Sequence, residues 1–198
     1  MGLTVEKCLQ AWTNSLKQMD AKVDIVFFGD SLTYYGDFAS VFPNKVICNL
    51  GLRGDTLRGM IDRVEQILLL GPNQVFLMAG INDVTLLSVG EFERYYSSLI
   101  DSIIEGLPDS NIFIQSILPI NVKEYKVSCD NYQIIICNHI IQKIAQKRKV
   151  NYLDIHSIYE ERGQLPKVLT IDGVHLTAEA YNLWYDFLRY DTRIRSQD

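Results

Sequence analysis

Short apolar runs alternate along the chain with longer stretches of helical spacing. Most of the runs are continuous apolar segments, with no regular polar alternation, and they predict strands at five places: Ile25–Phe28, Val46–Asn49, Val75–Ala79, Ile112–Ile117 and Tyr152–Asp154. Continuously apolar strands are typical of a parallel sheet that is covered on both faces.

Between these strands, apolar residues recur three or four positions apart. This spacing predicts helices at about 56–70, 91–106, 130–148 and 177–190. Gly71-Pro72 follows the first helix and is a common helix stop. Alternating strands and helices, joined by right-handed crossovers, predict a three-layer α/β/α domain. We expect a single domain over 1–198, with residues 1–20 forming an amphipathic helix packed on it.

Composition narrows the class of protein. The 198 residues are 47% apolar and 22% charged, which suits one soluble domain with a sizeable core. The net charge is −5 and there is no dense Lys/Arg run, so nucleic-acid binding is not expected. No apolar run reaches the roughly 20 residues of a membrane helix, and the N-terminus lacks the apolar core of a secretion signal. We therefore expect a cytoplasmic chain with no membrane span.

The four cysteines, Cys8, Cys48, Cys129 and Cys137, show neither a CxxC pair nor zinc-ligand spacing. Free thiols are expected, in line with a reducing compartment. No cluster of potential ligands suggests a metal or another cofactor. The sequence leaves the oligomeric state open.

Four short polar motifs follow the predicted strands. GDSLT contains Ser31, NLGLRGDT contains Gly54, GIND contains Asn82, and DGVH contains Asp172 and His175. In open parallel sheets, ligands bind beyond the carboxyl ends of the strands. The first three motifs are therefore expected at one edge of the sheet, and the loop with the fourth can reach that edge.

These residue types suit acyl transfer. A serine hydroxyl such as Ser31 becomes a nucleophile when a base takes its proton, and His175 can serve as that base. The second ring nitrogen of His175 needs an acceptor to fix its tautomer, and Asp172 is close enough in sequence to supply one. The oxyanion formed on attack needs donors placed in advance. The backbone N–H groups of Ser31 and Gly54 and the side-chain amide of Asn82 are candidates.

The four motifs, in this order, resemble the conserved blocks of the SGNH, or GDSL-type, hydrolase family over residues 29 to 175. The resemblance implies that Ser31 is the nucleophile, His175 the base and Asp172 its partner. It implies an oxyanion hole made by Ser31, Gly54 and Asn82. It also implies a flavodoxin-like fold whose five parallel strands lie in the order 2-1-3-4-5. The second block and the C-terminal end look most like the branch with platelet-activating-factor acetylhydrolase and carbohydrate acetylesterases.

The resemblance implies a serine ester hydrolase that works through an acyl-enzyme. We expect a small-molecule ester with a short acyl group, acetyl being favoured, on a sugar or a similar alcohol. A thioesterase or lysophospholipase of the same family is the alternative. A non-catalytic carbohydrate- or lipid-binding relative is a further one. Loops 34–43 and 119–130 would shape the substrate pocket, and sequence does not place their side chains.

Several neighbouring residues allow other interpretations. Asp154 and His156 form a rival Asp/His pair, although they match none of the four blocks. Asp30 is expected to support the serine turn, and Asp83 to be mainly structural. Tyr34-Tyr35 could line a substrate pocket or simply fill a turn. The bulk and acidity of this loop disfavour a flavin-binding domain of the same fold class. Asp30 and Asp83 could imitate part of the acidic cluster of a phosphate-accepting domain, but such a domain does not require the other motif residues together.

Overall fold

Five parallel strands form one sheet in the computed structural model of the chain. The structure describes residues 22–125, 129–191 and 194, so the predicted N-terminal helix and Cys8 lie outside the described residues. The strands are β1 Ile25–Gly29, β2 Ile47–Gly51, β3 Gln74–Met78, β4 Asn111–Gln115 and β5 Asn151–Leu153. Their order is β2-β1-β3-β4-β5 and every pairing is parallel, which confirms the predicted order.

Helices cover both faces of the sheet. They are α1 Ser31–Tyr34, α2 Leu57–Asp62, α3 Glu65–Leu70, α4 Val89–Gly106, α5 Asn131–Arg148, α6 His156–Tyr159 and α7 Ala178–Tyr190. Two short 3₁₀ helices cover Phe38–Ser40 and Lys167–Leu169. Helices α2 to α5 pack on one face, while α6 and α7 pack on the other. The three-layer α/β/α architecture is confirmed.

The side chains of β1 show how the sheet divides the core. Val26 and Phe28 point into the cluster beneath α2 to α5, and Phe27 points into the cluster beneath α7. This alternation follows the period of two along a strand. Phe27 stacks on Phe76 of β3 at 4.8 Å between ring centroids, and Phe76 stacks on Phe113 of β4 at 4.6 Å. All three rings are fully buried, and burial of each stabilises the fold by about 1.5–3 kcal/mol.

Side-chain caps fix where the long helices begin. Ser88 and Glu91 form a reciprocal capping box at the start of α4, and Asp130 and Gln133 do the same for α5. Thr177 caps α7 by accepting a hydrogen bond from the backbone N–H of Ala180. These three predicted helices are confirmed to within about two residues.

The single helix predicted over 56–70 is wrong, because the structure has two helices, α2 and α3, separated at Arg63 and Val64. Arg63 ends α2 and turns its side chain inward, where it donates to the carbonyls of Gly29 and Leu50. Apolar spacing continues through the break, so periodicity alone cannot reveal it. Gly71 then ends α3 in the left-handed conformation at φ 52°, as the Gly71-Pro72 pair predicted.

Cys48, Cys129 and Cys137 are free thiols, as predicted. Burial raises the pKa of Cys129 to about 11 and that of Cys137 to about 12, so these thiols stay protonated and inert near neutral pH. Over the described part of the chain, no helix has the length and apolar character needed to cross a membrane.

Candidate active site

The carboxyl ends of β1, β2 and β3 lie at the same level of the sheet. Gly29 at the end of β1 pairs with Gly51 of β2 on one side and with Met78 of β3 on the other. The segments that follow these strands carry Ser31, Gly54 and Asn82, and all three line one recess of about 500 Å³. The loop before α7 adds His175 and Asp172 to the same recess.

His175 lies between Ser31 and Asp172. Its Nε2 is 2.9 Å from Ser31 Oγ, and its Nδ1 is 2.6 Å from Asp172 Oδ2. Asp172 Oδ1 accepts hydrogen bonds from the backbone N–H groups of Val174 and His175. The carboxylate is therefore fixed by the loop and in turn fixes the ring, with an Nδ1–H donor toward Asp172 and a free Nε2 acceptor toward the serine.

Electrostatics around Asp172 keep it ionised. Burial acts to raise the pKa of this carboxyl, but the hydrogen bonds from His175 and Val174 outweigh burial and hold the pKa below its usual range. A permanent carboxylate at this place favours the positively charged form that a base acquires when it takes a proton.

Thr170 and Gly173 shape the loop that carries this pair. The Thr170 hydroxyl accepts from the backbone N–H of Gly173 and donates to the carbonyl of His175. Gly173 adopts φ 97° and lies against the backbone of Tyr125, where a Cβ atom would collide. Only glycine suits this position, because it combines a positive φ with a close backbone approach.

Ser31 is the first residue of α1, directly after β1. Asp30 caps this helix by accepting from the backbone N–H of Leu32 at 2.9 Å. This bond supports the predicted role of Asp30 as a brace for the serine turn. A first-turn N–H has no partner within its own helix, and that of Ser31 is unpaired among the described residues. It is therefore available to a ligand.

A β-turn from Leu52 to Asp55 places Gly54 at the sheet edge. The turn is closed by the backbone N–H of Asp55 and the carbonyl of Leu52 at 3.2 Å. Gly54 occupies the third position with φ 70°, a conformation that type II turns require and glycine adopts readily. Within the described ranges, the backbone N–H of Gly54 also has no partner.

The Asn82 amide is the third donor facing this recess. One of its N–H groups donates to the carbonyl of Asp55 at 2.8 Å, which anchors the side chain. An amide nitrogen carries two hydrogens, so the second stays available. The geometry thus assembles three donors beside Ser31, from the segments after β1, β2 and β3.

A cluster of buried charges lies beneath these donors. Arg63 forms an ion pair with Asp55 at 2.7 Å, with both side chains nearly inaccessible to solvent. Burial raises the pKa of the Asp30 carboxyl to about 7 and that of Asp83 to about 6. Asp83 accepts from the backbone N–H of Leu57 through both oxygens and so supports the start of α2, which agrees with the expected structural role.

The rival pair Asp154 and His156 does not form. Asp154 accepts from Ser157, whereas His156 Nδ1 lies 2.9 Å from the carbonyl of Ile117. Neither side chain lines the recess that contains Ser31.

Tyr34 and Tyr35 are both about half exposed. Only Tyr35 belongs to the site, because its ring meets that of His175 edge to face at 5.8 Å between centroids.

Arg53 and Tyr125 line the recess beside Ser31, although neither was among the predicted site residues. The position of Arg53, immediately before Gly54 in a motif at a strand end, was the signal that could have identified it. Tyr125 lies in the loop 119–130, which was expected to shape the substrate pocket, but sequence did not place its side chain. In the described ranges, no three His, Cys, Asp or Glu side chains are grouped in a way that could hold a metal ion.

The chain matches a known family model over most of its length. The model of the GDSL-like Lipase/Acylhydrolase family matches residues 27–183, which include all four motifs.

Curated proteins of similar sequence carry a different name. A Streptococcus agalactiae protein named N-acylneuraminate cytidylyltransferase is 26% identical over 163 residues, covering 80% of this chain and 36% of its own length. The chain therefore spans about a third of the length of the curated relatives it matches.

Two solved structures illustrate the likeness in fold. A Streptococcus pneumoniae structure whose description names platelet activating factor has a TM-score of 0.85 and 27% identity, covering 92% of this chain and 90% of that one. An acetyl xylan esterase has a TM-score of 0.72 and 20% identity, covering 84% of this chain and 98% of its own.

Proposed function

The chain belongs to the GDSL-like lipase/acylhydrolase family, and we propose that it is an ester hydrolase whose catalytic triad is Ser31, His175 and Asp172. The observation that carries this proposal is the position of His175, with one ring nitrogen on the Ser31 hydroxyl and the other on the Asp172 carboxylate. A merely structural histidine would not need to bridge a serine and a carboxylate at the mouth of a recess.

Acylation begins when Ser31 Oγ attacks the carbonyl carbon of the ester and His175 Nε2 takes the hydroxyl proton. The carbonyl oxygen becomes an oxyanion and accepts hydrogen bonds from the backbone N–H groups of Ser31 and Gly54 and from the Asn82 amide. Asp172 stabilises the charged imidazolium. When the tetrahedral intermediate collapses, the bond to the alcohol breaks and His175 returns its proton to the departing oxygen.

Deacylation repeats these steps with water in place of the serine. His175 takes a proton from the water, whose oxygen attacks the acyl carbon on Ser31. The second oxyanion uses the same donors. Collapse releases the carboxylic acid and returns the proton to Ser31, which restores the free enzyme.

The acyl group we propose is short, with acetyl favoured, and the alcohol is a carbohydrate. The recess beside Ser31 is lined by Ile81 and Val174, two buried apolar side chains that suit an apolar acyl group better than a charged one. An acetyl xylan esterase is among the proteins of similar fold, and the name of the curated relatives, N-acylneuraminate cytidylyltransferase, includes that of a sugar with an amide-linked acyl group. A thioesterase or a lysophospholipase of the same family is the second candidate.

A fluorophosphonate probe tests the nucleophile. We expect the wild-type protein to be labelled at Ser31 and the Ser31→Ala variant to lose both labelling and ester turnover. Ser40 offers a matched control, because it is an exposed serine after α1 whose hydroxyl donates to the carbonyl of Asp37. Labelling that persists in Ser31→Ala, or disappears in Ser40→Ala, would contradict the assignment.

A series of p-nitrophenyl esters from acetate to palmitate tests the acyl group, followed by acetylated sugars and acyl thioesters. We expect kcat/KM to be highest for acetate and to fall as the chain lengthens. An optimum at long chains, or a preference for thioesters, would favour the second candidate.

A further inference from the structure

Two recesses meet at His175. The first, of about 500 Å³, contains Ser31 and the proposed oxyanion donors. The second, of about 460 Å³, is lined mainly by apolar and aromatic side chains: Tyr35, Ile171, Leu176, Ala178 and Tyr181. Arg53, Asp172 and His175 line both recesses, so they form the boundary that a bound substrate must touch.

Among the described residues that line either recess, Arg53 is the only Arg or Lys. No ion pair involves Arg53 among the residues that the structure describes, and its guanidinium carbon lies over the ring of Tyr35, 5.8 Å from the centroid. The other charge at the boundary, Asp172, is engaged by His175 and by two backbone N–H groups. An anion entering here would therefore meet an unpaired guanidinium.

The backbone holds Arg53 at this boundary. Arg53 is the second residue of the turn from Leu52 to Asp55, and the next residue, Gly54, supplies a proposed oxyanion donor. The same turn therefore carries one group for the reacting carbonyl and one for a more distant part of the substrate. The chain as a whole has a net charge of −5, so attraction of an anion to this edge would be local.

We propose that Arg53 determines specificity by binding a carboxylate on the alcohol part of the ester, so that the enzyme prefers acidic substrates. This inference rests on the proposed function. The acyl carbonyl is fixed beside Ser31, Gly54 and Asn82, whereas the alcohol leaves past His175, which returns its proton. Arg53 flanks His175 in both recesses and so lies along the path of the alcohol.

A carboxylate fits better than a phosphate. A guanidinium presents parallel N–H groups that match the two oxygens of a carboxylate. Phosphate sites gather several donors, and here the lining of the two recesses includes no second Arg and no Lys. A hydrogen-bonded pair between charged groups contributes enough to change kcat/KM by about tenfold.

Two matched esters test the proposal. One is the acetate of a nitrophenol that carries a carboxylate, and the other is the same ester with a primary carboxamide in place of the carboxylate. For each protein, the ratio of kcat/KM for the acid to kcat/KM for the amide is measured. The intrinsic reactivities of the two esters cancel when this ratio is compared between variants.

Arg53→Gln is compared with Arg58→Gln, which removes the same charge from an exposed position on α2 outside both recesses. We expect Arg53→Gln to lower the ratio about tenfold, mainly through a higher KM for the acid, and Arg58→Gln to leave it within about twofold of the wild-type ratio. Arg53→Lys should give an intermediate ratio, because it keeps the charge and loses the paired N–H geometry.

The proposal is overturned if Arg53→Gln changes the ratio no more than Arg58→Gln does. Equal falls in both variants would indicate a general electrostatic effect, which also overturns it. The amide ester and the fluorophosphonate reaction at Ser31 report on the proposed function independently. If the amide ester is cleaved and Ser31 is labelled but the ratio does not depend on Arg53, only this inference fails; if neither occurs, the triad assignment fails first.

Discussion

Asp30 is a carboxylic acid buried directly behind the proposed nucleophile. It is inaccessible to solvent, and while its Oδ1 accepts from Leu32, its Oδ2 has no partner among the described residues. Burial is the main cause that raises its pKa to about 7. Asp55 and Asp83 act in the same direction, while the hydrogen bond from Leu32 and the charge of Arg63 oppose it. The folded protein therefore holds a proton that the unfolded chain releases.

The direction of the effect on stability follows from linkage. The pKa of Asp30 in the folded protein, about 7, lies above the ordinary value of 3.8 for an aspartate in an unfolded chain. The stabilisation from the bound proton is fully present below pH 3.8 and is lost as the pH rises toward 7. A difference of about three pKa units corresponds to about 4 kcal/mol. Asp30 should therefore lower the free energy of unfolding by up to about 4 kcal/mol across this window.

Asp30→Asn removes the titratable carboxyl group and keeps a side chain of the same shape. The asparagine Oδ1 can still accept from Leu32, so the cap on α1 survives. The difference in free energy of unfolding, variant minus wild type, should increase by up to about 4 kcal/mol as the pH rises from about 4 to about 8. For a chain of this size, that corresponds to a melting temperature higher by roughly 10 °C at pH 8.

Urea unfolding at a series of pH values measures this gain. Asp109→Asn is the matched control, because Asp109 is an exposed aspartate after α4. Its curve should run parallel to that of the wild type. If the Asp30→Asn curve also ran parallel to the wild-type curve, or if the variant lost stability as the pH rose, the argument from burial would be refuted.

Three further predictions concern catalysis. Asn82→Ala should lower kcat by about 10²–10³ with little change in KM, because the lost hydrogen bond forms mainly in the transition state; a change in KM alone would make Asn82 a ground-state binding residue. His175→Ala should abolish turnover of p-nitrophenyl acetate while His156→Ala retains it, and the reverse result would overturn the choice of base. Activity should survive dialysis against EDTA, and a loss restored by zinc or manganese would show that a metal is required.

The strands and the site were predictable from sequence for a shared physical reason. A strand covered on both faces is mostly apolar, so the runs Ile25–Phe28 and Val75–Ala79 predicted strands that the structure has as β1 and β3. Polar residues immediately after such a run are placed at the carboxyl edge by the parallel topology. The proximity of Ser31 and Asn82, which are distant in sequence, could therefore be predicted because each follows the end of a parallel strand.

The missed features depend on where individual side chains turn. At the break between α2 and α3, Arg63 reaches inward to the carbonyls of Gly29 and Leu50. The sequence shows only a polar residue within an apolar repeat, which does not predict that contact. Helix α1 has only four residues, too few for a periodic pattern. The boundary between the two recesses, where Arg53 lies, is formed by loops whose shape tertiary packing decides.

The inward turn of Arg63 also explains how the proposed oxyanion donors are held in place. Its guanidinium binds the carbonyl of Gly29 at the end of β1, the carbonyl of Leu50 in β2 and the carboxylate of Asp55. The carbonyl of Asp55 accepts from Asn82, which follows β3, so this network joins the ends of three strands. Donors fixed before the substrate arrives need no reorganisation when the oxyanion forms, and such preorganisation is usually a large part of catalysis. The break in the predicted helix therefore lies where Arg63 joins the segments that carry the proposed donors.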